Sequence, residues 1–479
     1  MKKIVILSAL IAAIGLIGPK IIGSGVNEKI DDLVGALKES PGYEATIVSS
    51  QSSWFSTVAT VKIGLDPAIF GDLTADPKAA EFFEDFSVNV NIVAQHGPLL
   101  TLNGLGLGLL ALKADVDETT LRDYVAYGED ESLYRLIINV GLLGSAHYTD
   151  EIQAFTMVKD TNDEDMSESL SFSGWAGGGS MSTSHLDYRG QMDSLTMPGD
   201  HGSALFEMKS VSLMLDSDDS WTNIIAGAFY NSSVEFVIGS ITLGSPMDEN
   251  AKVRMKNIVM DGGTKKSGDG ELMDMVLNYG IEAITSEDFN AKDLVLKTEF
   301  NNLEKGFFAA FQDASVNPSE IEQMTAIFKS VLLPQLQASP EFNITEMSGS
   351  VGEGSFSGKM LMKITGVDSL PDVLEDPGFW VSKAGVDSVI TLDKSMALWV
   401  AEKMLISQLQ GDAQLAPITA DQMTNKEIKD LAEQQAGTMI EALSQQGMVI
   451  VNDEGNYTMT FTLTDGQATL NGNPMPLPF

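Results

Sequence analysis

A helix followed by a β-hairpin occurs near both ends of this chain, and that unit restricts the folds open to it. The first copy runs from Val26 to Ile63 and the second from Ser319 to Ile364. Ser40-Pro41-Gly42-Tyr43-Glu44-Ala45-Thr46 answers to Ser339-Pro340-Glu341-Phe342-Asn343-Ile344-Thr345. Phe55-Ser56 answers to Phe356-Ser357, and Lys62-Ile63 to Lys363-Ile364, with a slip of two residues between the first match and the last. A third unit, Asn425 to Leu463, keeps the order with weaker identity. In the first copy Val26, Ile30, Leu33, Val34 and Leu37 recur at helical spacing, with charged residues between them. A Ser-Pro pair then stops the helix in the first two copies. Each hairpin is expected to add two strands to a sheet, and each helix to cover part of one face.

Between these ends the chain reads as strands. Phe86, Val88, Val90 and Ile92 alternate with Ser87, Asn89 and Asn91, the pattern of a half-buried antiparallel strand. His96-Gly97-Pro98 follows as a turn. A second strand-like run then alternates Leu105, Leu107 and Leu109 with Gly104, Gly106 and Gly108. Glycine weakens a strand, so that bare face implies another backbone, a helix or a ligand lying against it. From Leu133 to Phe300 short runs such as Ser232 to Ile241, Lys252 to Met260 and Leu294 to Phe300 are separated by turn clusters. The clusters are Asp160 to Asp165, Gly177 to Ser180, Asp216 to Ser220 and Asp261 to Gly270. No strand-helix rhythm supports a parallel doubly wound sheet, and no blade period supports a propeller.

Helices return after Leu303. Asn317-Pro318-Ser319-Glu320 is a helix start, and Pro334 is expected to kink or end that helix. A strand is expected over Val381 to Leu392, then helices around Ala397 to Leu409 and Asn425 to Gln446. A last hairpin places Tyr457, Met459, Phe461 and Leu463 on one face, and the chain closes through a tight turn over Leu470 to Pro474.

Composition narrows function more than fold. Sixty-seven acidic against 29 basic residues give a net charge of −38, which repels nucleic acid and anionic headgroups. There is no cysteine, so disulfides, thiolate metal sites and a cysteine nucleophile are excluded. Lys2 and Lys3 precede an apolar run from Ile4 to Gly18, continued after Pro19 and Lys20 by Ile21 and Ile22. The layout is signal-like, but no small-residue cleavage site is well formed, so an uncleaved membrane anchor is expected over residues 4–22. The paired lysines place its N-terminus in the cytoplasm.

No reaction is written in the motifs. His96, His147, His185 and His201 do not pair at metal-ligand spacing, and there is no H-E-x-x-H. A nucleophile elbow, a P-loop and a dinucleotide fingerprint are all missing. Asp160 to Asp165, and Asp216 with Asp218 and Asp219, supply close carboxylates but lack the EF-hand glycine and terminal glutamate. Turn chemistry accounts for them. Met324, Met404 and Met439, among 24 methionines, fall on helix faces, where they serve packing or adaptable apolar contact. No catalytic, cofactor-binding or metal-ligating residue is assigned, and no cofactor is expected.

The terminal anchor, the Trp54-Phe55-Ser56 hairpin, the His96-Gly97-Pro98 turn and the closing Asp465-Gly466-Gln467-Ala468-Thr469-Leu470-Asn471-Gly472 together resemble the YdgA-like family of bacterial envelope proteins of unknown function. That family usually carries an aromatic residue after His-Gly-Pro, where this chain has Leu99. The resemblance implies an inner-membrane anchor with a periplasmic body, and brings no activity with it.

The expected fold is α+β and mainly β: an extended, curved antiparallel sheet with helix-hairpin units near both ends, plus an N-terminal transmembrane helix. Four regions are expected: an anchor over 1–22, a helix-hairpin and strands over 23–130, a β-rich middle over 131–300, and helices with hairpins over 301–479. The expected function is a membrane-anchored periplasmic scaffold or binding protein. Its partners would be the inner membrane through residues 4–22 and another envelope protein or a second copy, with no nucleic acid. The alternatives are a lipid or apolar-ligand carrier with a sheet-lined groove, and a hydrolase with an unrecognised site.

Overall fold

The structure, a computed structural model, describes residues 30–31, 34–35, 38, 43–65, 87–116, 122, 125–129, 131–157, 170–198, 205–219, 229–244, 252–267, 270–287, 289–307, 310, 330–371, 373–374, 376–415 and 425–477. The chain divides into two compact units. The first comprises Met1–Lys252, Gly263–Lys265 and Ala309–Met324, and the second Val253–Gly262, Lys266–Phe308 and Thr325–Phe479. The expected anchor over residues 4–22 lies outside the described residues. Among the described residues no helix is long and apolar enough to cross a membrane.

The first unit is built from β1 (Tyr43–Ser52), β2 (Ser56–Leu65), β3 (Ser87–His96), β4 (Leu99–Leu100), β5 (Gly106–Leu107), β6 (Leu110–Val116), β7 (Val125–Ala126) and β8 (Tyr134–Val140). It continues with β9 (Ala146–Ile152), β10 (Phe155–Met157), β11 (Ser171–Phe172), β12 (Trp175–Met181), β13 (Leu186–Pro198), β14 (Leu205–Ser217) and β15 (Ser232–Gly244). One antiparallel ladder runs β1-β2-β3-β6-β8-β9-β12-β13-β14-β15. A branch leaves it at β13. The Leu186–Gln191 half of that strand pairs with β12, while Leu195 and Thr196 pair with β11, which continues to β10 and β7.

Alternation explains where the core sits. On β3 every second residue is buried, from Val88 through Val90 and Ile92 to Ala94, and β8 repeats the pattern with Tyr134, Leu136, Ile138 and Val140. Successive side chains of a strand point to opposite faces, so these residues share one face. Ile30 and Val34 of the early helix join that cluster, as do Phe155 and Met157 from the branch. The other face is polar: Thr60 donates to Asn91 Oδ1 at 3.0 Å across β2 and β3.

The second unit contains most of β16 (Val253–Ser267), then β17 (Leu272–Thr285), β18 (Asn290–Glu304), β19 (Glu341–Val351), β20 (Gly354–Ile364), β21 (Ala384–Leu392), β22 (Ile450–Val451), β23 (Tyr457–Thr464), β24 (Gln467–Leu470) and β25 (Asn473–Met475). Its ladder runs β17-β18-β19-β20-β21-β23-β24-β25, antiparallel throughout, with β22 on the start of β23. The last two hairpins turn on Asp465-Gly466 and Asn471-Gly472, all four at positive φ. That is the geometry Asp-Gly and Asn-Gly favour because it matches strand twist.

The helix before β19 continues past Pro334 to residue 337, so of the two expected effects of the proline, a kink or an end, it does not end the helix there. The proline carbonyl still accepts from Ala338 N–H at 3.0 Å. Buried Gln335 fastens this turn by accepting from Glu304 N–H and donating to the Asn302 carbonyl. The strand expected from Val381 begins at Ala384 instead, because Asp376 caps a short helix, α1 (Pro377–Lys383), by accepting from Gly378 N–H. Asp393 then caps α2 (Lys394–Leu415): its carboxylate accepts from Met396 N–H at 2.8 Å and from the N–H and hydroxyl of Ser355. α3 (Asn425–Gln445) packs on α2 through Ala397, Ala401, Ala436 and Ile440, and the three alanines let the two helices approach closely. Each expected helix-hairpin order is present: helical residues 30–31, 34–35 and 38 before β1 and β2, the helix ending at 337 before β19 and β20, and α3 before β22 and β23.

Ile92 is fully buried, whereas Leu361 on β20 is half exposed. Ile92→Ala is expected to destabilise the first unit by about 3 kcal/mol in urea unfolding. Leu361→Ala should stay within roughly 0.5 kcal/mol of the parent.

Candidate functional site

The histidines do not converge. His96 sits at the end of β3, with Nε2 3.1 Å from the buried Thr57 hydroxyl. His147 is exposed on β9, His185 lies in the β12–β13 turn, and His201 is outside the described residues. Among the described residues no group of three or more His, Asp or Glu is placed to hold a metal ion. Asp160 to Asp165 fall outside them. Asp218 holds its loop closed by accepting from the N–H and side-chain amide of Asn231.

Ser180, Asp187 and His185 do meet. Ser180 donates to Asp187 Oδ2, and His185 Nε2 lies 3.4 Å from the same oxygen. Nucleophilic catalysis needs the imidazole between hydroxyl and carboxylate, so that the ring can take the hydroxyl proton. Here the carboxylate stands in the middle, so the trio fixes the β12–β13 turn.

The Gly177 to Ser180 cluster, expected as a turn, lies inside β12 with β9 on one side and β13 on the other. Crowding is the reason for the glycines. A Cβ on Gly179 would lie 2.0 Å from the Asp187 carbonyl oxygen, and one on Gly177 would lie 2.2 Å from the Tyr188 hydroxyl. The space they leave holds a polar cluster. Trp175 Nε1 donates to Tyr188, Tyr188 donates to Asp150 Oδ2, and Tyr148 donates to the Asp187 carbonyl. The Tyr148 and Tyr188 rings stack with centroids 6.1 Å apart. Burial pushes the Asp150 carboxyl above its ordinary range and raises the three phenols of Tyr134, Tyr148 and Tyr188 as well. The phenols therefore stay neutral, and the cluster acts as a hydrogen-bonded lock between strands.

The end of the ladder is different in kind. Its register aligns Ser52 with Thr57, Ser56 with Gln95, His96 with Leu110, Leu110 with Val140, Val140 with Ala146, Ala146 with Met181 and Met181 with Leu186. The turns over 53–55, 97–109, 141–145 and 182–185 consequently gather at one end of the sheet. Trp54 is 94% exposed in the first turn, Leu105 83% in the second and Leu143 99% in the third. Phe55, Leu99, Leu107, Leu109 and Leu142 are exposed beside them. No Asp, Glu, Lys or Arg occurs over 45–61, 96–112, 137–147 or 180–186. Each such side chain left in water forgoes roughly 1.5–3 kcal/mol of burial. Patches of this kind mark interaction surfaces.

The Leu105 to Leu109 run, expected as a strand, belongs to this end as an irregular loop held by the short β4–β5 pair. Of its glycines, only Gly108 is closely packed, where a Cβ would lie 2.5 Å from the Val140 carbonyl oxygen; Gly104 and Gly106 face open space. Periodicity missed the third turn altogether. Its signal in the sequence is an apolar pair, Leu142-Leu143, set between the turn glycines Gly141 and Gly144.

The fold and this surface define an antiparallel β protein with helix-hairpin units and an apolar loop end. The chain belongs to the bacterial family described as "Bacterial protein of unknown function (DUF945)", which matches residues 1–478. No curated protein and no solved structure matches it.

Two substitutions separate lock from filler. Gly179→Ala should cost about 1–3 kcal/mol, because backbone must move. Gly437→Ala in α3, where a Cβ meets nothing, should add roughly 0.5–1 kcal/mol. Asp150 gives a pH signature. A carboxyl raised on folding contributes stability below its unfolded value and loses it as pH rises through the folded one. Asp150→Asn should therefore gain on the parent protein in thermal melts between pH 4 and pH 8, and a flat difference would contradict burial as the cause.

Proposed function

We propose that this chain is a binding or scaffold protein of the bacterial envelope, working through the apolar loop end of its first unit. Residues 4–22 would anchor it in the inner membrane, with Lys2 and Lys3 on the cytoplasmic side and the body in the periplasm. The YdgA-like resemblance and the signal-like run support that placement. One observation carries the binding reading: exposed Trp54, Leu105 and Leu143 stand at one end of the ladder, where the four turns between β1 and β13 over 53–55, 97–109, 141–145 and 182–185 contain no Asp, Glu, Lys or Arg, in a chain of net charge −38. A second copy remains a candidate partner alongside another envelope protein.

Carriage of an apolar ligand is a second reading, favoured by the partly exposed Met214 on β14 and Leu243 on β15. The hydrolase alternative has no constellation among the described residues to carry it.

The test is in-cell photo-crosslinking from position 143, with position 44, near the opposite end of the ladder, as control. The binding reading expects adducts at 143 well above those at 44. Equal or absent labelling at both would sink it.

A further inference from the structure

We infer that the apolar loop end of the first unit docks on a lipid bilayer, with Trp54, Leu105, Leu107, Leu142 and Leu143 entering the interfacial layer. This rests on the binding reading above and names its occupant.

Trp54 and Leu143 are almost entirely exposed, each projecting from its own turn without a packed neighbour. A protein partner would need a separate fitted pocket for each projection, since interface cores pack as densely as protein interiors. A bilayer interface is fluid and closes around separate side chains. An indole is also the side chain most at home there, with an apolar body and one polar N–H.

The chain carries −38, which anionic headgroups repel. The loops over 53–55, 97–109, 141–145 and 182–185 contain no acidic residue to be repelled, and no basic residue to recruit anionic lipid. Attraction therefore comes from apolar transfer, so zwitterionic lipid is sufficient and salt has little effect.

Backbone chemistry sets the depth. The loop over 97–109 is irregular apart from the short β4–β5 pair and a bridge between Leu102 and Gly104, and irregular backbone is not tolerated in lipid-exposed hydrocarbon. Only the side chains pass the headgroups, and the loop backbone stays among them in water.

The experiment uses the full chain reconstituted in phosphatidylcholine nanodiscs, with acyl chains either plain or brominated. Bromine quenches indoles at short range, and the chain has five tryptophans. Brominated lipid is expected to quench part of the emission of the parent protein, and Trp54→Phe should abolish that part. The double variant Leu105→Asp with Leu143→Asp keeps Trp54 and residues 1–29, and should lose the same part with an unchanged far-ultraviolet spectrum. Both positions are exposed, so folding is not at stake. Quenching that is identical in the parent protein and Trp54→Phe, or that survives the double variant, overturns the inference. Crosslinks from position 143 then separate the failures. Adducts to protein alone, a second copy included, retire the bilayer and leave the binding reading standing. Absence of both adducts and quenching retires both.

Discussion

The register of the ladder from Tyr43 to Leu186 is the constraint on which the first unit depends. Side chains alternate faces with a period of two, so a slip of one residue would turn Val88, Val90 and Ile92 to water and the asparagines between them inward. Burial of the branched aliphatics therefore fixes the hydrogen-bond pairing, and the pairing fixes which turns stand together. The apolar end is a consequence of that register: strands that must match along their length bring their connections to the same edge.

Two devices hold the register where hydrophobic burial alone does not specify it. One is the polar lock of Trp175, Tyr188, Asp150 and Tyr148, which ties β9, β12 and β13 by side-chain hydrogen bonds. It needs Gly177 and Gly179, because a Cβ at either would strike a neighbouring strand or its side chains. The other is the branch at β13, where one strand serves two neighbours in succession and brings Phe155 and Met157 into the core. In the second unit the same part is played by caps: Asp393 joins the start of α2 to β20 through Ser355, and Gln335 joins the helix before β19 to the end of β18. The Asp393 carboxyl is held below its ordinary range, since the hydrogen bonds it accepts outweigh the opposing effect of burial.

Such an arrangement separates stability from recognition. The aliphatic face and the lock are enclosed, and the side chains that make them are unavailable to a partner. The residues at the loop end contribute little to holding the sheet, because they are exposed in turns whose backbone is already fixed by the strands. They are free to be apolar against the ordinary preference of a surface, and the absence of Asp, Glu, Lys and Arg from the turns over 53–55, 97–109, 141–145 and 182–185 sets those turns apart in an acidic chain.

The sequence by itself determined the features that depend on neighbours in the chain. These are the alternation of β3, the helix-hairpin order near both ends, the Ser339-Pro340 close, and the Asp465-Gly466 and Asn471-Gly472 turns. Each is set by dihedral preference or by a short hydrophobic period. Tertiary structure alone decided that Gly177 to Ser180 is a strand, because the crowding that requires glycine comes from β9 and β13. It also decided that Leu105 and Leu107 leave the sheet, and that Trp54, Leu105 and Leu143, far apart in sequence, share one end. Those outcomes depend on pairing between distant strands, which no local preference of the chain encodes.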